Sequence, residues 1–240
     1  MTISSFPNGF KGGLVLSKIP ALATNPGQIF WVSNNSLVGL NEKNGSDGND
    51  GSFLGPFATL KYAVSRCKAG RGDKIYIKPG HVEALSGALA IDINLAGIDI
   101  EGLGAGIERP TFTLGTTATT MSISANDVKL KNIVLQPAVD QVVVGLVITG
   151  SDADVDIETQ DGAANIEFVK AISASALAKR LSLKAKHKGF KAGTHMTSYI
   201  QLVGVAGGRV DVDFNGLAST AVVEFATTLC SDIVVVGYVS

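Results

Sequence analysis

The chain has 240 residues, a formal net charge of −1 and only 17% charged residues, against a usual quarter. Its 45% hydrophobic content can bury a core, which excludes a disordered chain, and the neutral balance argues against a nucleic-acid partner. Its 28 glycines follow no three-residue period, which excludes collagen. No run approaches 18 apolar residues, so no membrane partner is expected, and the first 13 residues lack the basic and apolar regions of a secretory signal. Cys67 and Cys230 have neither metal-ligand nor disulfide-framework spacing. They are expected to be buried thiols in a soluble protein made in a reducing compartment.

Residues 1–54 are expected to form an extended N-terminal arm and a turn-rich loop, because prolines and glycines break up their short apolar pieces. Phe6, Phe10, Ile29, Phe30 and Trp31 have no local core, so they are expected to order against another subunit or a partner surface. Asp47, Asn49 and Asp50 suggest a calcium loop, but no Glu stands at the twelfth position. A plain turn is the expectation there.

Residues 55–240 read as a second unit. Leu60, Ala63, Val64 and Cys67 recur at helical spacing, which predicts a helix over about 57–68, stopped by Gly70. Short strands then return at a long period. Aligned on inward apolar pairs, they are Ile98/Ile100, Val128/Leu130, Val155/Ile157, Leu181/Leu183, Val210/Val212 and Ile233/Val235, spaced 23–30 residues apart. That is one coil of a parallel β-helix, whose strands bury one face each. The fold class is therefore all-β, a single-stranded parallel β-helix. In that register one outward row reads Glu101, Lys131, Glu158, Lys184, Asp213, then Val236. Opposite charges on neighbouring strands attract, so this structural charge ladder supports the alignment. Val234, Val236 and Tyr238 make the last strand apolar on its outer face too, which points to cover by a neighbouring subunit.

The run from Asn25 to Pro110 resembles a family of bacteriophage virion proteins with a right-handed β-helix, related in shape to the pectate-lyase fold. The motifs that carry the resemblance are FPNGF (Phe6–Phe10), NPGQIFWV (Asn25–Val32), GPFATLKYAVSRC (Gly55–Cys67), GDKIYIKPGHVE (Gly72–Glu83) and AGIDIEGLGAGIERP (Ala96–Pro110). The resemblance implies a right-handed solenoid whose helix caps its open end. It also implies a structural virion component on the outer surface of the particle, often a homotrimer, synthesised in the host cytoplasm. Its partners would be the major capsid protein or other virion proteins.

Chemistry has weak support in the sequence. Asp152, Asp154, Asp156 and Glu158 form the densest carboxylate set, but lysines on the neighbouring coils would neutralise them. His81 and Glu83 can share a strand face, yet a turn histidine is the expectation. His187 lies in a basic run read as a solvated loop, and no Ser/His/Asp grouping can be assembled around the three histidines. GLGAGI (Gly102–Ile107) lacks the strand and helix context of a phosphate cradle. The expectation is a non-enzyme with no catalytic residue, metal or cofactor, most simply a capsid decoration (cement) protein that stabilises the head. The alternative is a tail fibre or tailspike component that binds or cleaves host polysaccharide.

Overall fold

The structure is a computed structural model that describes residues 15–16, 19–20, 27–34, 43–190, 196–226 and 230–239. About half of the chain is strand and 5% is helix, and parallel sheets wind into a β-solenoid of about six turns. Strands β1 (Val15–Leu16) and β2 (Ile19–Pro20) form a small antiparallel pair. The solenoid begins with β3 (Ile29–Val32), which lies parallel to β4 (Lys74–Ile77). Ile29–Val32, expected in the arm, is thus the first rung, because Phe30 and Val32 bury against Phe57 and the helix. Phe6 and Phe10 lie outside the described residues.

Helix α1 (Leu60–Arg66) forms where the apolar spacing predicts it and buries Leu60, Ala63 and Val64. Its start is held from three places. The Thr59 hydroxyl accepts the Tyr62 amide, Asp47 Oδ1 accepts the Ala58 and Thr59 amides, and Glu83 Oε2 accepts the Leu60 amide. Asp47 is therefore spent on a cap, and Asp50 accepts from Ser52, so the predicted turn is what forms.

The first two complete coils each hold three short strands. They are β4, β5 (Val82–Leu85) and β6 (Ile91–Ile93), then β7 (Asp99–Gly102), β8 (Thr111–Leu114) and β9 (Met121–Ile123). In β10 (Lys129–Pro137) the first two positions fuse. Lys129–Lys131 pair with β7 and Val134–Pro137 with β8, across a bulge at Asn132, whose φ is 56°. The Asn132 amide stabilises this bend by donating to the Gly102 and Gly104 carbonyls.

From there each coil has two strands of seven residues or more. Strands β11 (Val142–Ile148), β13 (Phe168–Ala174), β15 (Met196–Leu202) and β17 (Ala218–Phe225) continue the narrow sheet of β6 and β9. Strands β12 (Asp154–Gln160), β14 (Leu181–Lys188), β16 (Ala206–Asn215) and β18 (Ser231–Val239) continue the wide one. A continuous inner column runs Phe30, Ile75, Ile100, Leu130, Val155, Leu183, Val210, Val235.

That column corrects two of the six predicted alignments. Ala153 and Gly208, not Val155 and Val210, stand level with Ile98, Val128, Leu181 and Ile233. A slip of two residues keeps every side chain on its own face, so alternation alone does not detect it. The two slipped coils are those in which the first inward residue is small. The register is marked instead by a positive-φ residue at one corner of every coil: Gly72, Gly97, Asp127, Asp152, Arg180, Gly207 and Asp232, 25–30 residues apart. Glycine and aspartate tolerate this left-handed conformation better than most side chains do.

Candidate functional site

Three places gather polar groups. The first is the His81–Glu83 pair, which the strand alternation permits. Both side chains point inward and are buried, with His81 Nε2 3.2 Å from Glu83 Oε2 and the Asn34 amide donating to His81 Nδ1 at 3.1 Å. An accepting Nδ1 leaves the proton on Nε2, directed at Glu83. Glu83 in turn receives the Leu60 amide, so the pair anchors α1 to the first coil.

The second place is the outer face of the wide sheet. Its observed rows are Lys74, Asp99, Lys129, Asp154, Ser182, Arg209, Val234 and Tyr76, Glu101, Lys131, Asp156, Lys184, Asp211, Val236. The ladder therefore alternates as expected through Glu101, Lys131 and Lys184, but Asp156 and Asp211 take the places assigned to Glu158 and Asp213. Those two residues belong to a third row, Glu158, Lys186, Asp213, Tyr238. Six acids of this face lie within 3.4 Å of a lysine or arginine. Asp99 meets Lys74, Asp154 meets Lys131, Asp156 meets Lys184, Asp211 meets Arg209 and Asp213 meets Lys186. Glu158, only 3% exposed, takes both Arg109 at 2.7 Å and Lys188 at 2.8 Å.

The electrostatics follow the pairing. Burial raises the Asp154 carboxyl, but hydrogen bonds from Lys131 and Ser182 and the nearby lysine charges bring it below the usual carboxylate range. Burial likewise raises Glu158, and Arg109, Lys188 and Gln160 outweigh it. Asp154 and Glu158 therefore stay ionised at neutral pH and have no proton to give. Glu158, Asp156, Asp211 and Asp213 line a groove of about 950 Å³ that runs from Glu101 to Val236 and Tyr238. On the last strand of the sheet Val234 and Tyr238 are exposed and Val236 is half-buried, while on the first rung Ile29 is exposed, Trp31 half-buried and Phe30 buried. Trp31 packs on Tyr76 with the rings tilted and meets Phe53 edge-on, holding the 43–57 loop on the solenoid.

The third place was not visible as a grouping in the sequence. His187, read as part of a solvated loop, is inward on β14 and 1% exposed. Alternation carries the signal: Leu181, Leu183, Ala185 and His187 bury while Ser182, Lys184, Lys186 and Lys188 do not. Thr159 Oγ1 lies 2.9 Å from His187 Nδ1 and 3.3 Å from the Tyr199 hydroxyl, and His187 Nε2 lies 3.5 Å from Asp161 Oδ1. The structure thus assembles a hydroxyl–histidine–carboxylate chain that the spacing gave no reason to expect. His187 also stacks on Phe214, with ring centroids 5.1 Å apart. Thr159 and Tyr199 are completely buried, so this cluster is closed to solvent and packs within the core. Burial brings the imidazole down to about 4, which keeps it neutral.

Among the described residues, no group of three or more His, Cys, Asp or Glu side chains is placed to hold a metal ion. No described helix is long and apolar enough to cross a membrane. No family model, no curated protein and no solved structure matches the chain.

Proposed function

We propose that the chain is a non-enzymatic structural protein of a bacteriophage particle, a decoration protein that sits on the outer surface of the head and stabilises the shell. The observation that carries this reading is the charged face, where Asp154 and Glu158, which would otherwise be candidates for acid–base work, are held ionised by lysines and an arginine. General acid catalysis in glycoside cleavage needs the reverse, a carboxyl kept protonated near neutral pH. The resemblance of FPNGF and NPGQIFWV to phage virion proteins adds support.

In this reading three copies associate, with Val234, Val236 and Tyr238 against neighbouring subunits, and the N-terminal segment with Phe6, Phe10, Ile29 and Trp31 meets the major capsid protein. Imaging of particles carrying a labelled copy tests the location. Density around each capsid hexamer or three-fold axis is expected, and label confined to the tail would replace this reading with the fibre or tailspike one. Cleavage of a bacterial polysaccharide that is lost in Asp154→Asn or Asp156→Asn would overturn the non-enzymatic assignment. For assembly, Val236→Asp is expected to lower the mass in solution from trimer to monomer. An unchanged oligomer with unchanged thermal stability would remove that surface from the interface.

A further inference from the structure

At the corner of the fourth coil, between β12 and β13, the wide sheet gives way to the narrow one over two buried acids. Asp161 is 5% exposed and Glu167 2% exposed. Asp161 Oδ2 accepts the Phe190 amide at 2.9 Å, whereas Oδ1 has no hydrogen bond and faces the equally unpaired Nε2 of His187. Glu167 accepts the Met196 amide, while its own amide donates to Asp140 at 3.3 Å. His187 faces this corner from β14 and Tyr199 from β15, with Asp140 on the turn before β11. Farther out are Glu158, already bound by Arg109 and Lys188, and Asp213, bound by Lys186. The nearest of these cations are thus engaged by other carboxylates, and the corner is left with acids and a neutral imidazole.

We infer that the Asp161–Glu167 pair takes up a proton from solvent when the solenoid folds, which makes this corner a clasp that tightens in weak acid and loosens as pH rises. Two ionised carboxylates buried near each other repel and lack solvation, and one proton relieves both costs. The orphaned atoms fit the protonated form. A proton on Asp161 Oδ1 can be donated to His187 Nε2, and the imidazole then carries its own proton on Nδ1, directed at Thr159 Oγ1.

The directions of titration agree with this geometry. Burial pushes Asp161 up to about 6, and burial together with the Asp161 and Asp140 charges pushes Glu167 up to about 7. For acids raised in the folded state, the stabilisation is complete below the ordinary carboxylate range and is lost as pH rises through 6 and 7. His187 acts in the opposite sense, but only between its ordinary value of 6.5 and about 4. Above pH 6.5 the acids alone set the slope.

The test is unfolding of the full chain at pH 6 and pH 8, for the wild type, Asp161→Asn, Glu167→Gln and the double variant. The wild-type ratio of folded to unfolded molecules is expected to fall toward higher pH, by at most about tenfold per pH unit for each linked proton. The amide variants imitate the protonated acids, so the downward slope should shrink in each and, in the double variant, give way to the opposite slope that His187 imposes below pH 6.5. A second measurement needs no variant to fold: carboxyl-carbon NMR titration of the native wild type, in which the pair should show apparent pKa values above 5. A fall in stability toward higher pH that survives the double substitution, or a pair that titrates entirely below 5, would overturn the inference.

Discussion

Replacing Arg109 with methionine removes the cation that reaches past the third coil to grip Glu158. Glu158 Oε1 lies 2.7 Å from Arg109 and 2.8 Å from Lys188, and its side chain is 3% exposed while that of Lys188 is half exposed. Breaking a buried ion pair by removing one partner costs about 3–5 kcal/mol, because the other charge stays buried and uncompensated. Lys188 remains to offset part of that, so the expected loss is about 2–3 kcal/mol. Methionine keeps most of the apolar stem, which limits the packing contribution. Urea unfolding at pH 7 and at pH 3.5 gives the assay. Glu158 is held below the usual range in the native protein, so its stabilisation is present above the ordinary value of 4.5 and is lost as pH falls through the native one. The gap between wild type and variant should therefore be widest at pH 7 and close in acid. The double variant Arg109→Met/Glu158→Met should recover much of the loss, since an apolar pair has no stranded charge. A gap that stays constant from pH 7 to pH 3.5 would refute the electrostatic account and leave only lost packing.

Three further outcomes follow from the coil geometry. Leu130→Ala, in the middle of the inner column and fully buried, should cost about 2–5 kcal/mol in chemical unfolding. Asn132→Gly should be milder than Asn132→Ala by about 1 kcal/mol in the same assay: both lose the two carbonyl contacts, but only alanine is strained at φ 56°. The Cys67 thiol, pushed by burial up to about 12, should resist alkylation at pH 8 until denaturant is added, as mass spectrometry of labelled peptides would read.

Much of the fold was legible because a solenoid repeats its chemistry. The return of short alternating strands every 25–30 residues and the apolar face of α1 both survive in the structure. The register was legible only in part. Leucine, isoleucine and valine attract an alignment, whereas Ala153 and Gly208 occupy the same inward position with less side chain, and a two-residue slip leaves the polarity pattern intact. The corner residues, glycine in some coils and aspartate or arginine in others, share a backbone conformation rather than a chemical class. The buried cluster was hidden for another reason. Thr159, His187 and Tyr199 sit on three different strands, and only the winding of the coils brings them together. Asp161 and Glu167 lie beyond strand ends, where periodicity no longer assigns a face.

The alternation of charge along the wide face also gives the solenoid a parity. Loss of the third coil by unequal recombination between repeats would set Glu101 beside Asp156 and Asp99 beside Asp154. Each such like-charged contact would destabilise the join by about 0.2–1 kcal/mol. Loss of the third and fourth coils together would instead bring Glu101 against Lys184, with opposite signs restored. A molecule built this way can lengthen or shorten through its charged region most readily by two coils at a time, so the ladder constrains the lengths open to its descendants as well as the register of the present one.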